Sequence, residues 1–208
     1  VDERAFVNII LPSVYTIHHI KWVKPSDKES LEDYSKQLLL QIDQSPPFAL
    51  VGLSFGGIIA TEISNLISVE KTILISSVSS SQQIPWYFSL AGKLRLNKLI
   101  PVNLLHKNKM LFNWMFGVKS KKEQLLLKEI NDTPDLHFTK WAVDCIIHWK
   151  RKSNRFIPIH IHGTKDKIFP IKNINVDFPV ENGGHFMIFS EGKYISEKIA
   201  AILSSVTM

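Results

Sequence analysis

Hydrophobic positions follow a helical period in some stretches and form short unbroken apolar runs in others. Ala5, Phe6, Ile9 and Ile10 recur at helical spacing ahead of Pro12, which predicts a helix over residues 2–11. Residues 16–23 are rich in β-branched side chains and predict a strand that ends before the turn at Pro25. Ser26 and Glu29 have the spacing of a capping box. The helix they would open carries Leu31, Tyr34, Leu38 and Ile42 on one face, until Ser45-Pro46-Pro47 stops it.

Phe48-Ala49-Leu50-Val51 is a continuous apolar run, the pattern of a parallel strand buried on both faces. A turn and a helix follow, with Ile59, Ile63 and Leu66 as the inner stripe. Further strands are expected over 72–76, 157–162 and 175–180, and Ile195, Ile199 and Ile202 give the last helix its buried face. Strands alternating with helices define an α/β fold, a mostly parallel sheet covered by helices on both faces. The alternation breaks over residues 82–155, which read as helical, basic and aromatic, with Trp86, Tyr87, Phe88, Phe112, Trp114, Phe116, Trp141 and Trp149. Residues 1–81 and 156–208 are therefore expected to form the core, and 82–155 a helical cap inserted into it.

At 208 residues and 45% hydrophobic, the chain suits one domain with a sizeable core. The longest apolar region is interrupted by Ser54 and glycines, so no integral membrane span is expected. A single cysteine, Cys145, allows no internal disulfide and suits a cytoplasmic setting. The net charge of +6 is unevenly spread: residues 83–156 hold 14 Lys/Arg against 5 Asp/Glu. Such a segment is either a solvated face or an attractor for anions. Basic and aromatic residues together admit an anionic or lipidic ester as substrate. No nucleic-acid recognition module accompanies them, so nucleic acid is not expected as a partner.

Gly52-Leu53-Ser54-Phe55-Gly56-Gly57 follows a buried strand and opens a helix, the context that a G-x-S-x-G nucleophile turn requires. Ser54 is then the candidate nucleophile in a strained conformation. Gly52 and Gly56 are expected to avoid clashes two positions away, and Gly57 to let the helix approach the sheet. The backbone N–H of Phe55 is the candidate oxyanion donor. No phosphate-loop or dinucleotide pattern is present, and no cofactor is expected. A serine needs a base, and His185 in Gly183-Gly184-His185-Phe186 sits between the last strand and the last helix. The orienting acid is expected after a strand, between serine and histidine in chain order. Asp166 in Gly163-Thr164-Lys165-Asp166 meets that condition, with Glu181 in reserve. His160 and His162 point to one side of their strand. No third metal ligand stands at useful spacing, so packing or a hydrogen bond near Asp166 is expected and a metal is not.

At these three sites the chain resembles the α/β-hydrolase superfamily, and is most similar to its small bacterial hydrolases. The likeness spans the Gly52–Gly57 turn, the loop from His162 to Asp166, the loop at His185 and the order of helices and strands. It implies a helical cap and ester-type hydrolysis through an acyl-enzyme. An acyltransferase, a C–C bond hydrolase, a lyase or a non-catalytic binding protein would use the same framework, and no oligomeric state follows. Superfamily members begin with further strands and an oxyanion loop. One of those strands would lie between the 16–23 and 48–51 strands, so residues upstream of Val1, carrying the second oxyanion donor, are expected.

Overall fold

The computed structural model describes residues 2–93, 108–131 and 135–205. Four parallel strands form one sheet in the order β1 (Ala49–Leu53), β2 (Lys71–Ile75), β3 (Ile159–Gly163), β4 (Phe178–Val180). Helices α1 (Leu31–Leu39) and α2 (Phe55–Leu66) precede and follow β1. Between β2 and β3 the described residues form α3 (Trp86–Lys93), α4 (Lys109–Phe116), α5 (Lys121–Asn131) and α6 (Leu136–His148). The remainder of that connection, at 94–107 and 132–134, lies outside the described residues. Helices α7 (Met187–Ser190) and α8 (Gly192–Ser204) close the chain.

Both faces of the sheet are apolar, as the unbroken runs imply. Leu50 and Leu74 pack on one side with Tyr34 and Leu38 of α1, Ile58, Ile59 and Ile63 of α2, and Trp141 of α6. Ile73, Ile75 and Ile161 pack on the other with Ile195, Ile199 and Ile202 of α8. At β2, alternate side chains thus enter opposite cores. Glu62, buried on α2, accepts from Trp149 Nε1 at 2.6 Å and from Arg151 Nε and Nη2 at 2.8 and 2.7 Å. Those three donors compensate the desolvation of its carboxylate and tie the chain after α6 to α2.

Four expected elements differ. The helix over 2–11 is one 3₁₀ turn, Glu3–Phe6, capped by Asp2. Beyond it, the Ile9 N–H still turns back to the Phe6 carbonyl, but Asn8 donates to the Phe189 carbonyl and the Ile10 N–H to Ser196 Oγ, so the segment is tied to α7 and α8 and does not continue as a helix. Helix α1 starts after Ser30, whose Oγ accepts from the Asp33 N–H at 3.1 Å. Ser26 and Glu29 close a separate turn, and Lys28 at φ 61° breaks any helix there. Residues 16–23 form no strand, because no backbone lies alongside to build a ladder among the described residues. Side chains of α1 and of the turn after it serve instead. Gln41 exchanges two hydrogen bonds with the backbone of Lys21, and the Tyr34 hydroxyl donates to the Val23 carbonyl and accepts its N–H. Burial pushes the Tyr34 phenol up to about 12, so it stays protonated and able to donate. The expected strand over 175–180 shortens to β4 because Asp177 Oδ2 takes the His160 N–H at 2.8 Å.

Candidate active site

The connections that carry the candidate chemistry all leave the carboxyl ends of parallel strands. Ser54 stands between β1 and α2, at φ 53° and ψ −122°. A non-glycine residue there costs about 1–3 kcal/mol, so its surroundings must impose the conformation. The Ser54 N–H donates to Ile75 O at 3.0 Å, and its carbonyl accepts from Gly57 N–H at 2.9 Å and from Ser77 Oγ at 2.6 Å. Phe55 begins α2, so its N–H is one of those a helix leaves without an internal partner.

The glycines of this turn have unequal roles. A Cβ on Gly52 would stand 2.5 Å from Gly56 O and from Gly57 Cα, backbone that cannot step aside. A Cβ on Gly57 would strike Ser77, the donor to the Ser54 carbonyl. Gly56 corrects the expectation: among the described residues, a Cβ there would meet only the Trp22 ring, at an ordinary 3.9 Å. Gly52→Ala should therefore lower stability by about 3 kcal/mol, the upper part of the overpacking range, and Gly56→Ala by much less. Urea midpoints of the two variants check this; equal midpoints would contradict the geometry.

His185 Nε2 lies 2.8 Å from Ser54 Oγ, and its Nδ1 lies 2.8 Å from Asp166 Oδ2. A carboxylate only accepts, so Nδ1 carries the proton and Nε2 is free to accept from the serine hydroxyl. The ring is 2% exposed and sits between Phe116 and Phe169, with centroid distances of 5.4 and 5.7 Å. Its loop is seated by the end of α4. Phe186 N–H donates to Phe116 O at 2.9 Å, and Gly117, at φ 68°, lies so close to Gly184 that a Cβ there would stand 2.7 Å from Gly184 Cα.

Asp166 is buried. Its Oδ1 accepts from the N–H groups of Ile168 and Phe169 at 2.8 and 2.9 Å. Its Oδ2 faces His185 Nδ1 and, at 3.3 Å, His162 Nε2. Burial alone would push this carboxyl up. His185 and His162 outweigh it and hold the group well below the usual carboxylate range.

Ser54, Asp166 and His185 are thus brought together. The reserve acid is not: Glu181 accepts from Thr164 Oγ1 at 3.4 Å, on the exposed side of the loop. His162 reaches Asp166, as the sequence suggested for that pair. His160 instead faces Ser79 Oγ at 3.3 Å, and burial lowers it to about 4, so it is neutral. No group of three or more potential ligands for a metal ion occurs among the described residues. Cys145 offers no competing nucleophile, because burial pushes its thiol up to about 12. No described helix is long and apolar enough to cross a membrane. Sequence reasoning missed Ser77, Phe116 and Phe169. Only contact geometry reveals the first two. For Phe169, its position three residues after Asp166 was the available signal, that of an aspartate accepting from the backbone just ahead of it.

No family model matches the sequence, and neither does any curated protein. Solved structures do match. A bromoperoxidase from Bacillus anthracis is 15% identical with a TM-score of 0.62, covering 89% of this chain and 76% of that one. A thermophilic esterase from Thermogutta terrifontis is 12% identical with a TM-score of 0.59, covering 84% and 72%. A meta-cleavage product hydrolase from Pseudomonas fluorescens is 12% identical with a TM-score of 0.58, covering 87% and 74%. All are α/β-hydrolase fold proteins, and this chain has the α/β-hydrolase fold. At such identities the likeness is one of fold, and chemistry has to be argued from the site.

Proposed function

We propose that this protein is a serine hydrolase that cleaves an ester or related acyl bond of a small molecule through an acyl-enzyme. The unbroken hydrogen-bond chain Ser54–His185–Asp166, 2.8 Å at each link, carries the reading. Ser54 Oγ attacks the carbonyl carbon as His185 Nε2 takes its proton. Phe55 N–H faces the oxygen on which negative charge builds; one such donor is worth about 2.7–4 kcal/mol in the transition state. The carbonyl re-forms as His185 returns the proton to the departing alcohol, leaving an ester on Ser54. Water then enters and adds to that ester as His185 takes its proton; the carbonyl re-forms, the bond to Ser54 Oγ breaks, and His185 returns the proton to Oγ as the acid leaves. Asp166 holds the imidazole in the Nδ1–H tautomer throughout and stabilises the imidazolium.

Residues 82–155 serve in this reading as a helical cap, and α4 supports it by reaching His185 with Phe116 and Gly117. Esterase and hydrolase relatives of the fold are in keeping with the reaction class. A fluorophosphonate probe tests the reading. The wild-type protein should be labelled at Ser54, located by peptide mass mapping, and should turn over p-nitrophenyl esters of short acids. A folded protein that takes no label would favour a binding role. Label without ester turnover, but with acyl transfer to an added alcohol or amine, would make it a transferase.

A further inference from the structure

We propose that His162 is a positioning residue for this reaction, a second imidazole that holds Asp166 on the face opposite His185; the inference rests on the roles proposed above for Ser54, His185 and Asp166. His162 lies within β3 and is wholly buried. Its Nε2 is 2.8 Å from the Phe169 carbonyl and 3.3 Å from Asp166 Oδ2. Neither oxygen donates, so Nε2 carries the proton; it donates to the Phe169 carbonyl and presents the same N–H within ion-pair distance of Asp166 Oδ2. Its Nδ1 is buried and has no partner among the described residues, so a proton there would face no acceptor among them. The tautomer is therefore set by the site.

These contacts close a ring around the acid. Phe169 gives its N–H to Asp166 Oδ1, its carbonyl to His162 and its ring to the imidazole of His185. The two backbone donors fix Oδ1. His162 then fixes the direction in which Oδ2 faces His185, from a strand instead of a loop. The other titratable groups near the carboxylate are more remote. Tyr87 of α3 senses its charge, His160 lies two positions back along β3, and Lys167 turns its ammonium to the Trp114 carbonyl at 2.9 Å.

Removing the His162 donor leaves more of the Asp166 charge for the His185 N–H. The imidazolium is then favoured, and the acid limb of the pH–rate profile moves to higher pH. It also lets the carboxylate swing, which lowers kcat and leaves substrate binding alone. His162→Leu should lower kcat about tenfold with KM within about twofold, and raise the acid limb by about half a pH unit. His162→Gln keeps an N–H donor and should restore most of both. A Leu variant with wild-type kcat and limb, or one that loses activity only in proportion to its unfolded fraction with the limb unmoved, overturns the inference.

Nitrogen-15 NMR of the wild-type imidazoles is independent of activity and of whether the Leu variant folds. His162 should be protonated at Nε2, and the His185 Nδ1–H resonance should differ between wild type and the Gln variant. An Nδ1-protonated His162, or a His185 signal indifferent to residue 162, also refutes it. Failure of the fluorophosphonate to label Ser54 would defeat the hydrolase reading alone, and these spectra would still decide the role of His162.

Discussion

Ser54→Ala should reduce ester turnover by about 10⁴-fold or more and abolish fluorophosphonate labelling, while the protein stays folded. A factor of 10⁴ is about 5.5 kcal/mol of transition-state stabilisation, far beyond one ordinary hydrogen bond. The size follows from the role proposed for the hydroxyl: without Oγ no acyl-enzyme can form, and what remains is water attack on a bound substrate. The fold is indifferent for local reasons. Alanine meets the same backbone strain at φ 53° as serine does. The bonds that impose it run from the main chain, to Ile75 O and from Gly57 N–H and Ser77 Oγ, and all survive. Among the described residues, only the contact to His185 Nε2 is lost. Circular dichroism and a thermal melt should match the wild type. Activity within tenfold of wild type in the purified variant would move the nucleophile elsewhere.

The strands, and the loops that bring Ser54, Asp166 and His185 together, were readable for one physical reason. A parallel strand buried on both faces must be apolar throughout, and the loops at its carboxyl end must carry the polar chemistry. Leu50 and Leu74 lie in one core, Ile73 and Ile75 in the other, and Ser54, Asp166 and His185 follow β1, β3 and β4. Where the reading failed, partners distant in sequence decided the outcome. Helical spacing over 2–11 could not foresee that Ser196 takes the Ile10 N–H. Strand propensity over 16–23 could not foresee that Gln41 and Tyr34 satisfy the backbone of Lys21 and Val23. The capping-box spacing at Ser26 and Glu29 was met by a real contact, yet Lys28 at φ 61° made it a turn. Gly56 shows the limit of motif reasoning. Its place in G-x-S-x-G implied a steric need, and among the described residues a Cβ there would meet only the Trp22 ring, at van der Waals distance.

Asp166→Asn should cost about 10⁴ in kcat although the side chain keeps its shape. Among the described residues, four N–H groups face the carboxylate: those of Ile168 and Phe169, His185 Nδ1 and His162 Nε2. An asparagine can accept on one side only. If its oxygen stays with Ile168 and Phe169, its amide N–H₂ confronts both imidazoles. His185 relieves the clash by moving its proton to Nε2, which then points at Ser54 Oγ and can accept nothing. Ser54 loses the acceptor for its proton without any displacement of the chain. The same substitution changes the pH dependence of stability. The folded carboxyl is held below its ordinary value, so its contribution is fully present above about pH 4 and is lost as pH falls toward the folded value. Asparagine has no such loss. The wild type should melt above the variant near neutrality, and the gap should close steadily below about pH 4. A gap that stays constant from pH 7 to pH 2.5 would mean that the carboxylate is not held by these donors, and the assignment of Asp166 would fall with it.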